Sequence, residues 1–171
     1  MTSNIDLNVD GSLVTAFVVY RLDSFPGGHE HFQNGLFGND NFGWDKFVCF
    51  TTRKDLLISG VDSANKHIKL STFLNTTNPS SIGTWKVLSV QWNVNAPGYS
   101  SVWYNGKLLA RFSSYAVEAD TKVALGDVST FHNVPLNGAI GEFVMYRNRY
   151  ITDSSMIKHH EYFMKKWKIS E

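Results

Sequence analysis

Residues 85–92 read WKVLSVQW, and residues 101–112 read SVWYNGKLLARF. In the first stretch, even-numbered side chains point to one face and odd-numbered ones to the other, as in a β-strand. In the second, Asn105-Gly106 separates two apolar runs, and both residues tolerate the positive φ angles of a type I′ turn. An Asn-Gly pair in this position is the strongest short-range indication of a β-hairpin. The two stretches therefore predict a strand followed by a hairpin.

Short apolar segments of the same kind recur along the whole chain, separated by clusters of Gly, Asn, Pro and Ser. About ten short strands with turn residues between them favour a two-sheet sandwich or jelly roll over a parallel α/β fold. The further predicted strands are Ala16–Leu22, Leu36–Phe37, Phe47–Phe50, Leu56–Ser59, His67–Ser71, Val123–Leu125 and Ala139–Met145.

The last twenty residues change to a helical period. Thr152 or Ser154 can cap a helix by accepting a backbone N–H, which predicts a helix over about 153–168. Its lysines lie mostly off the apolar stripe, so we expect an amphipathic helix that packs on the sandwich. The stripe consists of Met156, Ile157, His160, Phe163, Met164 and Trp167.

The composition is that of one folded domain spanning 1–171. Hydrophobic residues make up 43% of the chain and aromatic residues 14%, which favours strands. Sixteen basic and fifteen acidic residues leave a formal charge of +1, so we expect no nucleic-acid partner. No apolar stretch approaches the roughly 20 residues that span a bilayer, so we expect no membrane insertion.

The compartment is predicted less directly. Cys49 is the only cysteine, which excludes an intrachain disulfide, and its apolar neighbours predict a buried, inert thiol. Residues 1–10 are polar and lack the pattern of a secretion signal. We expect the chain to be a domain of a larger protein whose other parts direct it to the extracellular space or to a virion or cell surface.

Five segments occur in an order known from one superfamily. They are residues 85–92, 102–108 with the Asn-Gly turn, 123–127 (VALGD), 138–146 (GAIGEFVMY) and 151–155 before the closing helix. This ordered set resembles the concanavalin A-like lectin/glucanase superfamily, in particular its laminin-G-like and pentraxin-like branch. The resemblance covers roughly residues 80–168.

The resemblance implies a jelly roll of two antiparallel sheets whose open end is covered by the C-terminal helix. It also implies an extracellular module that binds glycans or proteins, often with calcium. Some members of the superfamily are glycoside hydrolases, so the catalytic carboxylates have to be sought.

Glycoside hydrolysis requires paired carboxylates, which the glucanases of this superfamily place on one strand as E-x-D-x-x-E. The nearest match here is Glu118-Ala119-Asp120, but Val123 replaces the third carboxylate. Glu142 has no acidic neighbour two positions away. We therefore expect no enzymatic activity.

Residues 24–46 form the most unusual stretch, rich in Gly, Asn, His and aromatic residues, and they predict a long loop with a short strand inside. Loops on a rigid sandwich are the usual place for recognition. Hard oxygen ligands within seven residues predict a calcium site, although the same composition is typical of a plain Asx turn. The predicted ligands are Asn39, Asp40, Asn41 and Asp45.

The candidate ligand-binding residues are partly aromatic. Trp44 can stack on a sugar face while Asn41 bonds its hydroxyl groups, unless the ring folds back on the core. Trp103 and Tyr104 point to opposite faces of a strand, so we expect at most one of them to be buried. An exposed Trp103 would be a second platform for a sugar or a partner, and cross-strand aromatic packing is the alternative. His29 and His31, two positions apart, can contact a ligand or a transition metal, or lie solvated in the loop.

These observations favour a lectin-like recognition module of an adhesion or attachment protein, with a glycan or glycoprotein as its partner and calcium as a candidate cofactor. The alternative is a protein-assembly domain that forms homo-oligomers and has no affinity for sugar, since sandwich edges often pair between subunits. A degenerate glycosidase is the third hypothesis.

Overall fold

The computed structural model describes residues 2–3, 13–25, 32–40, 45–60, 67–70, 78–96, 98–114, 123–129 and 133–170. The elements in these ranges are β1 (Thr2–Ser3), β2 (Leu13–Leu22), β3 (Phe32–Gly38), β4 (Phe47–Thr51), β5 (Leu56–Ser59), β6 (His67–Leu70), β7 (Trp85–Asn93), β8 (Ser100–Tyr104), β9 (Lys107–Phe112), β10 (Val123–Leu125), β11 (Gly138–Arg147) and α1 (Asp153–Trp167).

The strands form two antiparallel sheets. Sheet A has the order β1-β10-β3-β4-β5-β6, and sheet B has the order β11-β2-β7-β8-β9. The predicted fold class, a two-sheet antiparallel sandwich with one C-terminal helix, is confirmed. The sandwich has an upper end, where β3 passes into β4, and a lower end, where β8 turns into β9.

The core between the sheets comes from the strand alternation. The even-numbered residues of β2, from Val14 to Leu22, are fully buried there together with Leu88, Val90 and Trp92 of β7. Sheet A contributes Val48 and its neighbours from the opposite side. Fully burying such a side chain stabilises the fold by about 1.5–3 kcal/mol, so this alternation holds the two layers together.

The predicted Asn-Gly hairpin is confirmed. Asn105 and Gly106 have φ angles of 43° and 79°, as a type I′ turn requires. The Asn105 amide N–H donates to the Val87 carbonyl at 2.9 Å, and the Val87 N–H donates to Asn105 Oδ1 at 3.0 Å. The asparagine therefore supplies both the turn conformation and a tie to the adjacent strand.

Helix α1 packs on the sandwich as predicted, but it covers the outer face of sheet B rather than an open end. Thr152 caps it by accepting the Ser155 N–H, as predicted. Its buried residues Met156 and Phe163 pack on an apolar patch of Phe17, Val19, Val87 and Trp103.

The helix runs from the upper end of the sandwich to the lower end. Near its start, the Asp153 carboxylate pairs with Arg111 of β9 at 2.5 Å. Near its end, the Trp167 ring centroid lies 4.8 Å from that of Trp85, and its Nε1–H donates to Glu142 at 3.0 Å.

The outer face of sheet A is crossed by residues 126–137, here called the outer segment, of which 126–129 and 133–137 are described. Val128 and Val134 of this segment pack on Phe47 and Cys49. A Cβ atom at Gly35 would lie 2.7 Å from the Asp127 carbonyl carbon. One at Gly38 would lie 2.4 Å from the Val128 oxygen, so the close crossing requires glycine at both positions.

Strand β3 is longer than the predicted Leu36–Phe37. Its first half contains an irregularity that interrupts the strand pattern in the sequence. The register shifts between Gln33 and Phe37, and Asn34 has a φ angle of 49°. The buried Asn34 side chain donates to the Ser24 carbonyl at 3.0 Å and accepts from the Asn137 N–H at 2.7 Å. An asparagine that looks like a loop residue is therefore part of a strand.

Candidate ligand-binding site

The upper end of the sandwich contains buried polar side chains. Asn39, Asp45 and Lys46 are 0% exposed and Asp40 is 7% exposed, and all four flank the connection between β3 and β4. These four residues are called the hairpin base, and residues 41–44 between them are called the tip. Charged side chains are rarely buried without partners, so a buried group of this kind marks a specific arrangement.

Backbone and side-chain hydrogen bonds fix both sides of the hairpin base. The Asn39 N–H donates to the Lys46 carbonyl at 3.1 Å, and the Asp45 N–H donates to Asp40 Oδ1 at 3.2 Å. The Asp40 N–H donates to the Val128 carbonyl of the outer segment at 3.1 Å. The residues on either side of the tip are thus held in place by the sandwich.

The hairpin base is also packed against sheet B. A Cβ atom at Gly60 would lie 2.9 Å from Lys46 Cγ and 3.0 Å from Trp92 Nε1, so the lysine stem and the indole ring enclose this glycine. The Trp92 Nε1–H donates to the Ser59 carbonyl at 2.7 Å. Both sheets therefore support the base, which makes it a rigid platform.

The electrostatics of the hairpin base extend to the outer face of sheet A. Burial raises the pKa of the Cys49 thiol, and the carboxylates of Asp40 and Asp127 raise it further. Asp127 accepts the Val128 N–H at 2.6 Å and the Val134 N–H at 3.2 Å. Its carboxylate therefore holds the outer segment together.

The oxygen atoms of the hairpin base are of the kind that calcium prefers. Within the described part of the chain, no three His, Cys, Asp or Glu side chains are grouped closely enough to hold a metal ion. Asp40 Oδ1 already accepts a backbone N–H, which is the pattern of an Asx turn. The described residues alone do not form a metal centre, and the calcium site stays a prediction.

Four of the predicted ligand-binding or metal-binding residues lie outside the described residues: His29, His31, Asn41 and Trp44. The strands nevertheless show where their segments are attached. β2 ends and β3 begins at the lower end, whereas β3 ends and β4 begins at the upper end.

The predicted strand inside residues 24–46 is confirmed, but it is the seven-residue β3 rather than the two residues Leu36–Phe37, and it divides the predicted loop into two segments. The seven residues of β3 span about 20 Å between the two ends. The segment with the two histidines and the tip with Trp44 are attached at opposite ends of the sandwich. The predicted residues accordingly belong to two separate regions.

The expectation that at most one of Trp103 and Tyr104 is buried is also wrong. Trp103 is 4% exposed and Tyr104 is 6% exposed. Tyr104 faces the core between the sheets, and Trp103 faces α1, which covers the outer face. Trp103 is therefore not open to a ligand, and we remove it from the candidate site.

Two exposed aromatic residues at the upper end were not singled out from the sequence. Tyr99, before β8, is 55% exposed, and Tyr150, after β11, is 40% exposed. Their sequence contexts, a Pro-Gly turn and a basic Arg-Asn-Arg run, resemble ordinary loops. Only the arrangement of the strands places them at the same end as the tip.

Glu142, the carboxylate on the family-like strand, does not have the environment of a general acid. It accepts from Trp167 Nε1–H and forms an ion pair with Lys166 at 2.8 Å. Hydrogen bonds from Lys166 and Trp167 lower its pKa, whereas a general acid needs a raised pKa. Glu118 and Asp120 lie outside the described residues.

A serine and a histidine lie together beneath α1. Ser89 Oγ and His160 Nε2 are 2.7 Å apart, which is the distance of a nucleophile and its base. Both residues are 0% exposed, and burial lowers the pKa of His160 to about 3. The pair is out of reach of a substrate and belongs to the packing of the helix.

Comparisons with known proteins bear on the fold. No family model matches the chain, and no curated protein sequence matches it. Among the helices of the described residues, none has the length and apolarity needed to span a membrane.

Solved structures share the sandwich. Domain 4 of AbnA, a GH43 extracellular arabinanase from Geobacillus stearothermophilus in complex with arabinotriose, has a TM-score of 0.56 at 17% identity, over 86% of this chain and 66% of that one. A Trypanosoma rangeli sialidase has a TM-score of 0.59 at 14% identity, over 86% of this chain and 22% of that one.

A structure of botulinum neurotoxin type C, whose cell entry depends on interaction with two ganglioside molecules, has a TM-score of 0.59 at 9% identity, over 88% of this chain and 35% of that one. The likeness is one of fold. This chain thus spans between about a fifth and two thirds of the length of these three structures. Membership of the concanavalin A-like superfamily stays a prediction.

Proposed function

We propose that this chain is a non-catalytic recognition module that binds carbohydrate at the upper end of the sandwich, through the tip and the hairpin base. The observation that carries the proposal is the buried polar base of Asn39, Asp40, Asp45 and Lys46. It holds in place the two sides of a four-residue tip whose sequence includes Asn41 and Trp44.

Sugar recognition needs an aromatic face for the C–H groups of the ring and polar groups with fixed positions for its hydroxyls. A preorganised base reduces the entropy lost when the ligand binds. The faces of the sandwich are less suited to this role, because α1 covers sheet B and the outer segment crosses sheet A. The loops at the ends of the strands are therefore the better place for a ligand.

Two proteins with this fold interact with carbohydrate: domain 4 of AbnA is in complex with arabinotriose, and the cell entry of botulinum neurotoxin type C depends on interaction with two ganglioside molecules. They support a glycan or glycoprotein as the partner. The arabinanase is extracellular, which supports our proposal that the module works outside the cell or on a virion or cell surface, within a larger adhesion or attachment protein.

Calcium is part of the proposal as an aid to binding. Asp40 and Asp45 supply carboxylate oxygens and Asn39 an amide oxygen, which are ligands that calcium prefers. Oxygen atoms of the tip would have to complete the coordination. A chelator therefore belongs in the test of the function.

The test is a glycan array probed with the wild-type chain, with and without EDTA, followed by titration of the best glycan. We expect Trp44→Ala to weaken binding by tenfold or more and Asp40→Ala to weaken it as strongly. Tyr162→Ala is the control, because Tyr162 is 58% exposed on α1 and lies away from the upper end. Thermal unfolding of each variant would show that the fold is kept.

A wild-type chain that binds no glycan on the array, with or without calcium, would refute the proposed function. Hydrolysis of a bound glycan would refute its non-catalytic part. Binding that EDTA leaves unchanged would refute only the role of calcium.

Self-assembly is a second candidate function, favoured by the open edge of sheet B. Among the described strands β11 pairs only with β2, and its ten residues include just two charged ones, Glu142 and Arg147. Long apolar edge strands pair with other chains unless charges prevent it. The opposite edge strand β9 has the exposed charged residues Lys107 and Arg111.

Light scattering after gel filtration tests this second function. A dimer that is lost in Ala139→Lys, with the thermal stability kept, would support pairing through β11, because Ala139 lies in β11 and outside the apolar clusters of the core. A monomer at high concentration would exclude it.

A further inference from the structure

We infer that Tyr99 and Tyr150 form a second sugar subsite at the upper end, which binds further residues of a neutral oligosaccharide. The inference rests on the proposed function and names its ligand class more closely. Four observations support it: both rings are exposed, the backbone at Tyr99 is fixed, the backbone at Tyr150 is fixed, and Gln91 anchors both segments.

The two rings are among the three exposed tyrosines of the described residues. Tyr99 is 55% exposed and Tyr150 is 40% exposed, whereas Tyr20 and Tyr104 are 0% and 6% exposed. A tyrosine ring offers a large apolar face at a small cost in side-chain entropy, and its hydroxyl can bond a sugar hydroxyl. An exposed tyrosine is therefore a suitable platform for a pyranose or furanose ring.

The backbone of Tyr99 is fixed by a polar network. The Tyr99 N–H donates to the Ala96 carbonyl at 3.0 Å, and the neighbouring Gly98 N–H donates to Ser113 Oγ at 3.1 Å. On the other side, Ser100 Oγ accepts the Asn93 N–H at 2.8 Å. The ring thus projects into solvent from a backbone that is bonded on both sides.

The backbone of Tyr150 is fixed in a similar way. The Asn148 N–H donates to the Leu13 carbonyl at 2.8 Å, and the Ile151 N–H donates to Gln91 Oε1 at 2.9 Å. Ile151 is buried beneath the start of α1. Tyr150 lies between these two anchors, so its exposure is not the result of a loose loop.

Gln91 is the common anchor of the two tyrosines. Its side chain accepts from Ile151, next to Tyr150, and its backbone pairs with Ser101, two residues after Tyr99. Strand spacings of about 5 Å and a rise of about 3.4 Å per residue then place the two Cα atoms on the order of 10–15 Å apart. That span suits two or three consecutive sugar residues.

Two arginines near the two rings contact other side chains of the protein. The Arg149 guanidinium lies 5.9 Å from the Tyr146 ring centroid. Arg111 is paired with Asp153. These contacts leave the positive charges in place, but stacking on a ring face does not require an anionic sugar, so the inferred ligand is a neutral one.

The experiment measures binding of a neutral monosaccharide and of the corresponding tri- and tetrasaccharide, chosen from the best class on the array. Tyr99→Ala and Tyr150→Ala should each weaken trisaccharide binding about 5- to 10-fold and monosaccharide binding less than twofold. Trp44→Ala should weaken both. Tyr99→Phe, which keeps the ring, should stay within about threefold of the wild type.

Tyr162→Ala is again the matched control, since it removes an equally exposed tyrosine from α1. If Tyr99→Ala and Tyr150→Ala bind the trisaccharide as the control does, the subsite is wrong while the proposed function stands. The subsite is also wrong if both variants weaken the monosaccharide as much as the trisaccharide. If the wild type binds no neutral oligosaccharide but binds an acidic one, only the ligand class fails.

Discussion

The His160 side chain connects the stability of the fold to pH. It is fully buried between α1 and sheet B, where its ring meets Ser89 and lies 5.8 Å from the Phe17 ring centroid. Burial lowers its pKa to about 3, and His159 adds to the effect. The folded chain therefore keeps this ring neutral at every pH above about 4.

We predict that acid weakens the fold through this ring. Between pH 6.5 and pH 3 the His160 imidazole is protonated in the unfolded chain but neutral in the folded chain. The free energy of unfolding therefore falls as the pH falls. The loss between pH 7 and pH 5 should be about 2 kcal/mol larger in the wild type than in His160→Gln. Urea titrations at both pH values, followed by tryptophan fluorescence, measure it. Equal losses in the two proteins would show that His160 is not the group that titrates.

Cys49 provides a second prediction about a single side chain. It is fully buried, and both burial and two nearby carboxylates raise its pKa. The native chain should not react with a maleimide within hours at pH 7.5, whereas the chain in urea should react within minutes. Mass spectrometry of both samples decides the matter, and rapid labelling of the native chain would contradict the burial.

Single side chains were partly predictable from the sequence. The buried positions of Cys49 and His160 follow from their apolar neighbours and from the helical stripe. The burial of Trp103 does not follow, because a strand pattern cannot show that a distant helix covers the outer face. The sequence does not predict the burial of Lys46 either, because that burial depends on contacts with the end of β5 and with Trp92 of the other sheet.

The crossing of the outer segment over β3 predicts how two glycines act. Gly35→Ala and Gly38→Ala place a methyl group 2.7 Å and 2.4 Å from backbone atoms of the segment, so something must move. Each should lower the free energy of unfolding by about 2–4 kcal/mol.

Gly83→Ala is the matched control for these two variants. Gly83 has a φ angle of 82° but open space around it. The alanine variant should therefore lower the free energy of unfolding only through backbone strain, by about 1–2 kcal/mol. Urea unfolding at pH 7 compares the three. If the control is destabilised as much as the others, the close contact with the outer segment is not the reason for glycine at positions 35 and 38.

The strands and the helix were largely predictable, because their periods of 2 and 3.6 residues are local properties. The helix begins within one residue of its predicted start, and Thr152 is its cap. The failures have local causes. β1 has two polar residues and no pattern, and β3 contains Asn34 in a left-handed conformation, which suggests a turn when only the sequence is known.

The whole molecule has two ends with different chemistry, and this predicts where an attached group interferes. A polyethylene glycol maleimide on Tyr99→Cys should abolish glycan binding, because it covers the upper end. The same group on Ile82→Cys should have no effect, since Ile82 is 49% exposed at the lower end. Because Cys49 is buried, the label reaches only the introduced thiol. Loss of binding with the lower label would refute our placement of the site.

The candidate site was predictable only in part, and the reason is geometric. The sequence indicates Asn39, Asp40 and Asp45 by composition, and they do lie together at the base of one connection. It cannot show that β3 separates them from the histidines, because that depends on whether residues 32–38 pair with β4. Tyr99 and Tyr150 are 51 positions apart and lie at the same end of the sandwich only because they flank strands of one sheet.

The direction of α1 also determines how the module responds to tension. A force between residues 13 and 168 pulls on the start of β2 at one end of the sandwich and on the finish of the helix at the other. The helix is held by side-chain packing and by single hydrogen bonds and ion pairs such as Lys166–Glu142. It should therefore peel away turn by turn before the nine register pairs between β2 and β11 are loaded. Under such a force the module would thus lengthen by a helix and expose Trp103 while its two sheets stay intact.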